Sequence, residues 1–145
     1  MLMTNLAIGL PLVILAVVIH FVGLVGLSSL LNRKWQQHPG RLESTLWQGF
    51  SIVVVVNGLF AHNLNQITLY ALVYLGLGEF ETVESAFYFS ISTFTTVGFG
   101  DIVLEPEWRV LAGIESAIGF LLIGWSTAFL VSLTSRIGSI KVISE

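Results

Sequence analysis

Three long runs of the chain are almost free of charge. Thr4 to Asn32 contains no Asp, Glu, Lys or Arg, Ser44 to Gly78 contains none, and Val110 to Ser135 contains only Glu115. Each run exceeds the ~20 residues that a helix needs to cross a hydrocarbon core of about 30 Å. The pattern predicts three membrane-spanning helices. A shorter helical segment, Thr82 to Phe94, lies between the second and third, with Thr82 as N-cap and Glu84 in its first turn. At 1.5 Å per residue it reaches only about 20 Å, so it is expected to enter the membrane from one side and return. The chain thus divides into an N-terminal transmembrane helix (1–31), a loop (32–47), a central unit (48–136) and a short tail (137–145). Within the central unit the expected parts are an outer helix at 48–77, the short helix at 82–94, a loop at 95–101 and an inner helix at 108–136. The first span is read as a retained helix and not a cleaved signal peptide. Met1 to Asn5 carries no positive charge, and the apolar run Leu6 to Leu31 is longer than the ~7–15 residues of a signal core.

Composition supports this reading. Of 145 residues, 54% are hydrophobic and 10% charged, against roughly 25% charged in soluble domains. The fold class is an all-α membrane protein, in which a soluble catalytic domain or nucleotide fold has no room. An enzyme is therefore not expected, nor a cofactor. No cysteine is present, which excludes disulfides, thiolate metal sites and a cysteine nucleophile. A net charge of −3 gives no reason to expect nucleic acid, and the expected surroundings are the lipid bilayer. Five of the six basic residues fall in two places, Arg33, Lys34 and Arg41 after the first span and Arg136 and Lys141 after the third. The positive-inside rule puts both places in the cytoplasm, with the N-terminus outside and the C-terminus cytoplasmic. The connection 78–107 then faces outward, and it carries six of the nine acids (Glu79, Glu81, Glu84, Asp101, Glu105, Glu107) and no basic residue. Trp35, Trp47 and Trp108 lie near span ends, where indoles are favoured.

The short helix is followed by Thr95-Thr96-Val97-Gly98-Phe99-Gly100-Asp101. Non-helical backbone at membrane depth persists only where protein or water supports its polar groups. Glycines at alternate positions allow left-handed dihedrals, so successive carbonyls can point to one side. The C-terminal end of the short helix, with its partial negative charge, favours a cation nearby. Four such strands around an axis would make a ladder of oxygen rings.

The run Thr96 to Asp101 resembles the selectivity-filter signature of tetrameric potassium channels, four TVGYG loops whose carbonyls replace the ion's hydration shell. Phe99 stands where that signature has tyrosine. The resemblance covers about residues 48–136 and is to small bacterial two-transmembrane-type channels, with an added N-terminal helix. It implies a homotetramer in the plasma membrane that conducts K+ passively. Ions would be held by the backbone carbonyls of Thr96, Val97, Gly98 and Phe99 and by the Thr96 hydroxyl, with Gly100 completing the filter. Thr95, Asp101, Ser92 and Glu115 would support it. Phe99 lacks a hydroxyl to bond the aromatic cuff, where Phe87, Tyr88 and Phe89 supply packing. Ser92 occupies a position at which some relatives carry a carboxylate, so a carboxyl pair with Asp101 is unavailable there. A weakly selective monovalent cation pore and a non-conducting regulatory subunit are the alternatives.

Other polar residues sit inside the spans. Glu115 lies about 10 Å below the outer interface by helical rise, where ionisable groups are costly and usually functional. It is read either as a support for the short helix, through Thr93, Ser92 or second-span amides, or as a protonated or water-reached acid. His62, Asn65 and Gln66 share one helical face, expected to make interhelical hydrogen bonds, with pH sensing by His62 as a second reading. His20 and His38 are read as structural or solvated. Gly119, Ile123, Thr127, Leu130 and Thr134 form one face of the third span and are expected to line an inner cavity. Gly119 falls where the family commonly has a hinge, and close packing is its other reading; Gly124 is a second hinge candidate. No span carries repeated arginines, which argues against a voltage sensor, and only nine residues follow Arg136. The first helix is expected to pack peripherally against the other two.

Overall fold

A computed structural model describes residues 1–37 and 45–137. His38, Arg41 and Lys141, and the side chains of Lys34, Trp35 and Arg136, lie outside the described residues. Four helices make up the described chain: α1 (Leu2–Gln37), α2 (Thr45–Gly76), α3 (Val83–Phe94) and α4 (Arg109–Ile137). Three of them, α1, α2 and α4, are long and apolar enough to cross a membrane. α1 runs past the expected end at residue 31, because Arg33, Lys34, Gln36 and Gln37 are all good helix formers. Pro11 sits inside α1, a placement tolerated in transmembrane helices.

The ends of α2 and α3 have local causes. At the end of α2, Gly78 takes φ +79° while Glu79 N–H donates to the Tyr74 carbonyl and Gly78 N–H to that of Leu75, each at 3.1 Å. That is a Schellman closure, which favours glycine at the left-handed position. Thr82 Oγ1 then accepts from Ser85 N–H at 3.2 Å and starts α3.

α1 and α4 lie side by side and run in the same direction, Asn5 meeting Glu107 and Leu111 at one end and His20 meeting Ser126 further along. α2 packs against both in the opposite sense, and Gly23 of α1 leaves the space that the His62 ring fills. α3 is held between α2 and α4. The main core joins all four helices through Ala16, Ile67, Tyr70, Tyr74, Phe89, Phe94, Leu111, Ile118 and Leu122. A second cluster, Leu24, Leu31, Val55, Leu59 and Leu133, closes the opposite end of the bundle.

Asn5 is almost fully buried and acts as a cap on a helix other than its own. Its Oδ1 accepts from the N–H of Leu111 in the first turn of α4 at 2.9 Å, and its Nδ2 donates to the Glu107 carbonyl at 2.6 Å. Replacing Asn5 with Leu leaves both groups unpaired, at about 1–3 kcal/mol for a buried unsatisfied donor. A lower melting temperature in detergent is expected; an unchanged one would show that water replaces the cap.

The buried polar face of α2 differs in part from expectation. Gln66 Nε2 lies 2.8 Å from His20 Nδ1 and 3.4 Å from His62 Nε2, so Gln66 and His20 do bridge α2 and α1. Asn65 does not join them: its amide donates to the Ala61 carbonyl of its own helix.

Candidate functional site

The chain after α3 folds back along the helix that precedes it. Thr95 N–H and Thr95 Oγ1 both donate to the Ile91 carbonyl, and Thr96 N–H donates to that of Thr93 at 3.0 Å. Ser92 then grips the loop twice. Its carbonyl accepts from Gly98 N–H at 3.1 Å and its hydroxyl accepts from Phe99 N–H at 3.2 Å. A residue of α3 thus fixes the two loop positions that lie six and seven residues ahead of it. Serine suits the task because it is small and offers two acceptors.

The dihedrals alternate. Thr96, Gly98 and Gly100 have φ of +62°, +56° and +78°, with Val97 and Phe99 between them outside the left-handed region. The two glycines take this conformation without a Cβ penalty. Thr96 does not: a β-branched residue at positive φ is an outlier that costs on the order of 1–3 kcal/mol and persists only where surrounding structure enforces it. Left-handed backbone at every second residue is the conformation that lets consecutive carbonyls share one side. The Val97 and Phe99 side chains are left 55% and 68% exposed.

At the far end of the loop, Tyr88 Oη donates to Asp101 Oδ2 at 2.8 Å. This bond raises the tyrosine pKa above its ordinary value. The Tyr88 ring also stacks on Phe99, with centroids 6.3 Å apart and planes 10° from parallel. Phe89 does not reach the loop; it packs edge-on against Tyr74 at 5.3 Å and beside Phe80. Asp101 is therefore held by a phenol, whereas the sequence predicts only a packing role for Tyr88. A cavity of about 480 Å³ separates the loop from α4, with Arg109, Gly98, Gly100 and Asp101 in its wall. Within the subunit the loop is held by the α3 hydrogen bonds named above.

A family model described as ion channel matches residues 50–136, more than half of the chain. The chain belongs to this ion channel family. Neither curated proteins nor solved structures give a match. Family membership and the three apolar helices together point to a multi-pass membrane protein of the ion channel type.

In the channel, Glu115 is fully buried and its partners are not the ones expected. Oε2 accepts from Tyr74 Oη at 2.6 Å, and Oε1 meets Ser90 Oγ. Thr93, Ser92 and the second-span amides are not its partners. The reason is helix register: α3 and α4 run parallel, and Gly119 meets Phe94, so one turn earlier Glu115 meets Ser90. At Gly119 the α4 backbone passes so close that an added Cβ would strike the Phe94 carbonyl group, which is the close-packing role. Ile123 is half-buried, and Thr127 is exposed with its hydroxyl turned to the Ile123 carbonyl of its own helix. Space around Gly124 is open within the subunit.

Proposed function

We propose that the protein is a potassium-selective channel that works as a homotetramer and conducts K+ passively across the plasma membrane. The observation that carries this reading is the alternation of left-handed residues at Thr96, Gly98 and Gly100, directly after a helix too short to span. In this reading α3 is a re-entrant pore helix and 95–101 the filter. The carbonyls of Thr96, Val97, Gly98 and Phe99 and the Thr96 hydroxyl replace the water around K+, which four strands together can do and one cannot. Ser92, Thr95 and Asp101 hold the strand in shape, and α4 lines the inner cavity with Ile123 and Thr127, while Gly119 lets α4 pack against the end of α3. The exposed Val97 and Phe99 side chains are apolar surface that neighbouring subunits would cover. The N-terminus lies outside and the C-terminus in the cytoplasm.

Purified protein in liposomes tests this. K+ flux well above Na+ flux, blocked by a quaternary ammonium ion, is expected. Equal fluxes favour a weakly selective cation pore, and no flux favours a regulatory subunit that needs a partner to conduct.

The acidic surface yields a separate expectation. Glu105 and Glu107 are exposed and border the segment that carries Asp101, so in a tetramer they gather cations at the outer mouth. Water-exposed charges are screened over about 10 Å at 0.1 M salt. Changing both to Gln should lower inward single-channel current at low ionic strength, do little at high salt, and leave K+ over Na+ preference intact. An equal loss at both salt levels would mean that these residues shape the mouth sterically.

A further inference from the structure

Behind α3, the oxygens of three side chains and one backbone carbonyl stand in a row. Ser90 Oγ lies 2.9 Å from the Ile67 carbonyl of α2 and also meets Glu115 Oε1 of α4. On the far side of the carboxyl, Tyr74 Oη lies 2.6 Å from Oε2. Ser90, Tyr74 and Glu115 are all fully buried.

The protons in this row can be counted. Two contacts at Ser90 Oγ require two hydrogens. A serine hydroxyl supplies one and a peptide carbonyl supplies none. If Ser90 gave its proton to a Glu115 carboxylate, its oxygen would face the Ile67 carbonyl with no hydrogen between them. Both contacts are satisfied only when Glu115 Oε1 carries a proton and donates it to Ser90, which in turn donates to Ile67. The other carboxyl oxygen then accepts from Tyr74, which is what the carbonyl half of a neutral acid does.

Nothing nearby calls for a charge. The sequence has no Lys or Arg in α2 or α3, none in α1 before Arg33, and none in α4 between Arg109 and Arg136. The titratable neighbours are Tyr74 and Tyr70, both from α2, and the buried Tyr70 hydroxyl has no hydrogen-bond partner among the described residues. From α1 the only titratable side chain within the membrane-spanning part is His20. It sits opposite Ser126, eleven residues and roughly 16 Å along α4 from Glu115. An unpaired carboxylate at such a site would be strongly destabilising.

We infer that Glu115 is an uncharged, proton-bearing positioning residue, which through Ser90 and Tyr74 ties the middle of α3 to both α2 and α4. The sense of each bond is fixed: donor toward α3, acceptor toward α2. Glutamine reproduces that pattern, with Nε2 donating to Ser90 and Oε1 accepting from Tyr74; alanine reproduces neither half.

Infrared spectroscopy of the intact protein reads the proton directly. The difference between wild type and Glu115→Gln at neutral pH should contain the carbonyl stretch of a protonated carboxyl, lost in the variant. Ser90→Ala should retain that band and shift it to higher frequency, because its hydrogen bond is gone. A difference spectrum showing only carboxylate bands, or a band that Ser90→Ala does not move, would overturn the inference. The second readout rests on the channel reading. Glu115→Gln should keep wild-type flux and melting temperature while Glu115→Ala loses both, and a Gln variant as damaged as the Ala variant would overturn it as well. Wild-type protein without any flux would count against the channel reading alone, and the infrared spectra would still decide where the proton lies.

Discussion

Gly98→Ala is expected to abolish the preference for K+ over Na+. Gly98 has φ +56°, and an added Cβ would find no atom within 4 Å in the subunit. The penalty is therefore conformational and not a clash: a side chain in the left-handed region costs roughly 1–2 kcal/mol. The backbone can relieve it by returning to negative φ, which swings the adjacent carbonyl off the line set by Thr96 and Gly100. In a tetramer the same strain arises in four copies, about 4–8 kcal/mol together, enough to favour a collapsed loop over an ordered one. Reversal potentials with K+ on one side of a bilayer and Na+ on the other measure the result. An unchanged preference would contradict the assignment of ion coordination to these carbonyls.

The other large effect is expected at Gly119. Even an alanine there would run into the Phe94 carbonyl group and the root of its ring. These atoms belong to the last turn of α3, whose carbonyls at Ile91, Ser92 and Thr93 hold the loop that follows. Relief by a side-chain rotation is unavailable because the obstructing atoms are backbone. Overpacking of this kind typically costs 1–3 kcal/mol, and it should displace α3 from α4. Gly119→Ala is expected to lower the melting temperature and to reduce K+ flux, whereas Gly124→Ala in the same helix, with open space around it, should leave the melting temperature unchanged or slightly raised. Equal behaviour of the two variants would show that α4 flexes freely at Gly119 and that the contact with α3 is dispensable.

How much could be read from the chain alone depended on whether the physics was local. A run without charge is a strong signal in a membrane protein, so the three long helices were legible from composition. Thr82 announced the start of α3 because capping is a matter of one side chain and the next three residues. Gly98 and Gly100 likewise signalled left-handed backbone by lacking a Cβ. Thr96 gave no such signal, since a β-branched residue argues against the conformation that it adopts. Its strain is enforced by hydrogen bonds to α3 that only the folded chain provides. The partners of Glu115 were misread for a related reason. Thr93 and Ser90 lie on the same short helix, and the choice between them depends on how far α3 slides along α4, which is set by the tight approach of Gly119 to Phe94. The cap supplied by Asn5 to α4 joins residues more than a hundred positions apart, and no local pattern in the sequence marks it.

The parallel pairing of α1 with α4 limits how the third spanning helix can swing. Asn5 fastens the first turn of α4, Gly9 fits beneath Ile114 and Leu111, and His20 reaches Ser126 halfway down. Leu31 and Leu133 share a cluster at the far end. α1 therefore works as a splint strapped along most of the length of its neighbour. A bend of α4 in the region of Gly119 or Gly124 either bows α1 with it, where Pro11 already interrupts the backbone ladder, or peels the two helices apart below Ser126. Both routes put the mechanical resistance to bending in a helix that makes no hydrogen bond to the loop at 95–101 among the described residues, so changes on the side of α1 that meets α4, at Gly9 or His20, would alter how readily α4 bends while leaving the loop's own hydrogen bonds in place.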